Sequence, residues 1–122
     1  MSDEQGEINE LVRTINENPD PLHSDYTPSV VQLRERGLKA AVAVLDLLDD
    51  PNYETRLRAQ RVVEDVVKRR FGWAPGQGFT DISQQEKTQE LFAANGNYQA
   101  GAPPEERKKS IEKWRRWLEE QK

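Results

Sequence analysis

The chain has 122 residues, 34% of them hydrophobic and 33% charged, with no cysteine and a single histidine. That length gives room for one domain with a modest core, and the missing cysteines exclude disulfides, thiolate nucleophiles and cysteine metal sites. No apolar run approaches the roughly 20 residues that cross a bilayer, and the acidic opening MSDEQGEINE lacks the apolar stretch of a secretory signal, so a cytoplasmic protein with no membrane partner is expected.

Net charge is −4 and unevenly spread. Residues 1–27 carry seven acids and one base, residues 28–70 nine bases and seven acids, and residues 71–122 eight of each. An acidic N-terminal helix and proline-containing linker (1–27) thus precede a helical domain (28–122). The acidic part is either a solubilising arm or a cover over a basic face until a partner displaces it.

Taken in chain order, EINELVRTINEN places Ile8, Leu11, Val12 and Ile15 on one narrow apolar stripe of a polar helix. Pro19 and Pro21 stop it. Thr27-Pro28 reads as an N-cap followed by proline in the first helical position, and the short helix it opens ends at Gly37, after Arg34 and Arg36. LKAAVAVLDLLDD carries Leu38, Ala41, Val42, Leu45 and Leu48 on one stripe, with Val44 and Leu47 beside it, and is expected to be the central helix. Asp50-Pro51 ends it. The next helix, to Arg70, turns Ala59, Val62, Val63, Val66 and Val67 inward and Arg58, Arg61, Asp65, Lys68 and Arg69 outward. A glycine-rich segment leads to a helix capped by Asp81 or Ser83 and ended near Asn95-Gly96, and after a loop a last helix begins with Glu105 and Glu106 in its first turn. No strand pattern is visible. The expected fold is all-α, a compact bundle of about five helices.

The stretch from Gly37 to Val67 resembles a HEAT or HEAT-like repeat. The resemblance lies in Gly37, Ala41-Val42, Leu45, Leu48, Asp50-Pro51, Arg56 and Ala59, and covers about a quarter of the chain. It implies a helical hairpin in which Asp50 and Arg56 stabilise the turn, and a role in protein–protein interaction. Repeat arrays need about three units to bury a continuous core, and no second full copy is present, so one repeat-like hairpin inside a bundle is expected. The tail, NGNY followed by KWRRWL, is similar to the ends of uncharacterised bacterial HEAT-like proteins, which implies no activity.

Three stretches could carry chemistry. VVKRRFGWAPGQGFTD has glycines but lacks the Gly-Lys-Ser/Thr of a phosphate loop, and follows a helix rather than a strand. Gly72 suits a helix C-cap and Ala74-Pro75-Gly76-Gln77 a type II turn, so the segment reads as a corner whose aromatics Phe71, Trp73 and Phe79 fold back, with a ligand or partner groove as the alternative. In KKSIEKWRRWLEEQK, Ile111, Trp114, Trp117 and Leu118 share a face, while the bases opposite are matched by acids at helical spacing; Trp114 and Trp117 read as core. The best basic surface is the helix face with Arg58, Arg61, Lys68, Arg69 and Arg70.

Catalysis has little to rest on. His23 lies in the proline-containing linker with no nucleophile motif around it, and Asp46 and Asp50, one turn apart, lack a calcium loop. No catalytic residue, metal or cofactor is expected. The expected function is a non-catalytic interaction module whose partner is another protein, bound through the basic face and the aromatic loop; the alternative is nucleic acid or an anionic ligand on the same bases.

Overall fold

The computed structural model describes residues 3–121. Most of the chain is helical: α1 (Glu4–Arg13), α2 (Pro28–Arg34), α3 (Leu38–Val44), a 3-10 turn (Leu45–Asp49), α4 (Tyr53–Arg70), the strands β1 (Trp73–Ala74) and β2 (Gly78–Phe79), α5 (Ile82–Ala94) and α6 (Pro104–Glu120). No helix among the described residues is long and apolar enough to cross a membrane.

Local chemistry sets most of the helix starts. The Asn52 side chain accepts the Thr55 amide at 3.1 Å at the head of α4, and Asp81 accepts the Ser83 amide at 2.9 Å at the head of α5, each satisfying a donor that the first turn leaves free. Thr27 does more than cap α2. Its hydroxyl accepts the Val30 amide at 3.2 Å and donates to the Ile15 carbonyl at 2.8 Å. Being 2% exposed, it ties the start of α2 to the turn that follows α1.

α4 is the hub, in contact with α2, α3, the 3-10 turn, β1 and α5. Ala59, Val62, Val63, Val66 and Val67 lie in the core with Val30, Leu33, Ala40, Ala41, Val44, Leu45, Leu48, Ile111, Trp114 and Leu118. The same cluster takes in Ile8 and Ile15 from the N-terminal segment, so the bundle itself covers the stripe of α1.

Residues 38–50 depart from the expected single central helix. α3 ends at Val44, and Leu45–Asp49 winds as a 3-10 turn. That winding has about three residues per turn instead of 3.6; the buried residues of this stretch are Ala40, Ala41, Val44, Leu45 and Leu48, and Val42, in α3, is 41% exposed. The second departure is the pair of short strands, in which Trp73 lies opposite Phe79 and Ala74 opposite Gly78 in antiparallel register. Two residues per strand are too few for an alternation to show in sequence.

Candidate functional site

The basic residues of α4 separate into an inward group and an end group. Arg58 belongs inside, and the expectation of an open basic face that includes it fails. The residue is only 6% exposed. Nε and Nη2 donate to the Ser24 carbonyl at 3.0 and 2.9 Å, and Nη1 donates to Asn16 Oδ1 at 2.8 Å. The linker covers this face of α4, and Arg58 satisfies its Ser24 carbonyl. One turn further on, Arg61 bridges Asp25 at 2.6 Å and Glu64 at 2.8 Å.

Asp65, expected outside, is buried at 1% exposure. Its Oδ2 accepts from the Tyr26 hydroxyl at 3.0 Å and from Arg34 at 3.2 Å. Burial pushes the Asp65 carboxyl above its ordinary range, against the two hydrogen bonds, which pull it down. The Tyr26 hydroxyl is pushed up as well, first by burial and then by the Asp65 charge. The trio pins the linker and α2 to α4.

The end group lies where α4 meets the hairpin. Arg69 is taken by Glu35 in a two-pronged ion pair at 2.9 and 2.7 Å. The Lys68 ammonium lies 5.3 Å from the centroid of the Trp73 ring, and Arg70 is exposed. Phe71 packs against the core, whereas Trp73 and Phe79 are half-buried in the hairpin. The corner between the strands is closed by the Gln77 amide donating to the Ala74 carbonyl at 3.1 Å, across Pro75 and Gly76. Gly72 at φ +88° and Gly76 at +76° adopt the left-handed backbone that this path requires.

Gly37, at φ +72°, precedes α3. Asp50 and Arg56 meet through backbone rather than as an ion pair: Arg56 donates to the Asp50 carbonyl at 2.8 Å, to the Pro51 carbonyl at 3.2 Å and to the Ala100 carbonyl at 2.9 Å, while the Asp50 carboxylate accepts the Asn52 amide at 2.9 Å. Trp114 is 3% exposed and edge-on to Trp117, their centroids 5.7 Å apart. Asp46, far from Asp50 in role, meets Arg115 at 3.2 Å on the surface. The backbone of His23 accepts the Tyr26 amide at 2.9 Å and donates to Asp20 at 3.1 Å, holding the linker turn.

Gln60 is the residue that sorting by apolar and charged types overlooks. It is 4% exposed. Its Oε1 accepts the Ala100 amide at 3.0 Å, and its Nε2 donates to Glu64 at 3.0 Å and to the Tyr98 carbonyl at 3.3 Å. The Tyr98 hydroxyl in turn donates to the Leu48 carbonyl. The loop after α5 is thereby tied to α4 through Gln60, and a half-open cavity of about 80 Å³ lies between Gln60, Glu64, Phe92, Tyr98 and Trp114. The available signal was an amide in the middle of an apolar helix face.

Comparison of this chain with known protein families, with curated proteins and with solved structures finds no match in any of the three.

Proposed function

We propose that this chain is a non-catalytic protein-interaction module, built around the HEAT-like hairpin of residues 37–67 and engaging its partner at the C-terminal end of α4 and the adjoining hairpin. The observation that supports this reading is the grouping there of a tryptophan under a lysine ammonium (Lys68 over Trp73 at 5.3 Å) with an exposed arginine, Arg70, and a half-buried Phe79. Tryptophan and arginine are the side chains that most often anchor interfaces, since each combines large contact area with a directional polar group. The hairpin holds Trp73 and Phe79 on a short, closed turn and the last turn of α4 carries Lys68 and Arg70, so little ordering is needed on binding.

Nucleic acid or an anionic ligand has less to draw on at α4. Arg58, Arg61 and Arg69 are each committed to partners within the chain, leaving Lys68 and Arg70, while phosphate-backbone binding rests on several uncompensated bases.

The test is capture of partners from source-cell lysate by the tagged chain and by the Trp73→Ala/Arg70→Glu double variant, with and without nuclease. A specific protein retained through nuclease and lost with the double variant, whose thermal unfolding matches the wild type, is the expected result. Retention by the variant overturns the site, and loss on nuclease treatment overturns the reading in favour of nucleic acid.

A further inference from the structure

We propose that the cavity between α4, α5 and α6 is a socket for an alkylammonium head, either the end of a lysine side chain or a methylated amine. It stands apart from the hairpin surface in the residues that line it.

The walls are aromatic. Phe92, Tyr98 and Trp114 line the cavity, and the Phe92 and Trp114 rings, with centroids 5.8 Å apart and planes inclined at 57°, form two sides of a corner. A cation lodged among aromatic faces is attracted by their quadrupoles, and the attraction grows as water is excluded. At the rim the only carboxylate among the lining residues is Glu64, and no lysine or arginine lines the cavity. Glu64 does share Arg61 with Asp25, but two carboxylates around one guanidinium leave a net negative charge. Each Glu64 oxygen is engaged once, Oε1 by Arg61 and Oε2 by Gln60. A carboxylate oxygen accepts about two hydrogen bonds, so capacity remains for a cation.

The shape is fixed in advance. Gln60 uses both ends of its amide to hold the loop that bears Tyr98, and the Tyr98 hydroxyl is tied to Leu48. A preorganised site avoids the cost of ordering its walls on binding. The volume of about 80 Å³ is roughly half that of a cavity of about 150 Å³ that accepts benzene. It suits a head group of a few heavy atoms, with the rest of the ligand in the open mouth. An anion would face Glu64, and a wholly apolar ligand would strip water from Glu64 without replacing it.

The experiment is a titration of the intact chain, following the Trp114 indole N–H resonance by NMR at constant ionic strength. The probes are choline, its uncharged isostere 3,3-dimethylbutan-1-ol, and Nα-acetyl-lysine methylamide with and without three methyl groups on Nζ. The expected result is a saturable shift with choline and at least about tenfold weaker binding of the isostere. Glu64→Gln keeps the size of the side chain and should weaken choline about tenfold, while Phe92→Leu removes one aromatic face and should weaken it several-fold. Whichever lysine probe binds more tightly identifies the source of the head group. Equal binding of choline and its isostere, or no saturable shift with any amine, overturns the proposal. That comparison uses the wild-type chain alone, so it holds even where a variant fails to fold.

Discussion

Arg58→Ala tests whether α4 presents its bases outward or spends them inward. Arg58 is 6% exposed, and its guanidinium makes three hydrogen bonds, two to the Ser24 carbonyl and one to Asn16. At roughly 1 kcal/mol net each, with about 1 kcal/mol more for the buried stem, the gross loss is about 4 kcal/mol. Relief from burying a cation, which Glu54 only partly balances from 3.9 Å, offsets some of this, leaving about 2–4 kcal/mol. For a domain of this size that corresponds to a fall in melting temperature of roughly 8–16 °C. Arg69→Ala removes a bidentate pair whose Glu35 partner is 51% exposed and should cost about 1 kcal/mol or less. Arg70→Ala, at an exposed position, should be close to neutral. Arg58→Lys should recover less than half of the loss, because an ammonium cannot span two acceptors as the planar fork does. Urea unfolding followed by tryptophan fluorescence and circular dichroism gives all four values. An Arg58→Ala variant within about 0.5 kcal/mol of the wild type, as expected of an ordinary surface substitution, would refute the inward placement.

Asp65 makes a pH prediction with a definite sign. Because burial raises its folded-state pKa, the folded chain holds the proton more tightly than the unfolded one; its contribution is fully present below the unfolded value of about 3.9 and is lost as pH rises through the raised folded value. The stability advantage of the wild type over Asp65→Asn should therefore shrink as pH climbs from about 4, and a difference that is flat or grows across that window contradicts the assignment. Tyr98 is pushed up to about 12 by burial, so its contribution is present below the unfolded value of about 10 and is lost as pH rises towards the folded one. The phenolate component missing from a Tyr98→Phe absorbance titration should lie near the higher value, and finding it near the lower one sinks the claim that the hydroxyl is buried. Gly96 sits at φ +89° where a Cβ would lie 3.3 Å from the Ser110 side chain, whereas Gly76 at φ +76° has nothing within 4 Å. Both alanine variants incur left-handed strain of about 1–2 kcal/mol, but Gly96→Ala should lower the melting temperature further, and equal losses would show that Ser110 gives way.

Some helix starts were legible because their causes are local, whereas α1 ends at Arg13, short of the expected stop at Pro19 and Pro21. Thr27-Pro28 and Asp81 act through hydrogen bonds and fixed torsions within a few residues, whereas the cap of α4 is Asn52, which was not singled out. The stripe of α1 could be read from spacing alone. The 3-10 winding of Leu45–Asp49 could not, since a period of three and one of 3.6 diverge too little over five residues to be told apart. Arg58 and Asp65 were assigned outward by type, since charged residues are seldom buried unless paired. What reverses the assignment is the linker lying across α4, which brings Ser24 and Tyr26 to them from 34 and 39 residues away. The cavity at Gln60 escaped for the same reason: its walls come from α4, α5, α6 and the loop at Tyr98.

The same long-range pairing changes what the acidic N-terminus means. Counted along the sequence it is an arm that could be lifted off a basic surface. In the fold, Glu4 meets Lys39 at 3.1 Å, Glu7 meets Arg36 at 2.6 Å and Asp25 meets Arg61 at 2.6 Å. Those first two pairs are substantially exposed and contribute about 0–1 kcal/mol each, too little to hold a segment in place. The hold comes from Ile8 and Ile15, 0% and 2% exposed, each worth about 2–3 kcal/mol by burial, and from Thr27 bridging Ile15 to α2. A partner that competed only for the bases would gain the small electrostatic share and still face the apolar one. The N-terminal segment is therefore part of the core by energy, and its acids add only the small electrostatic share.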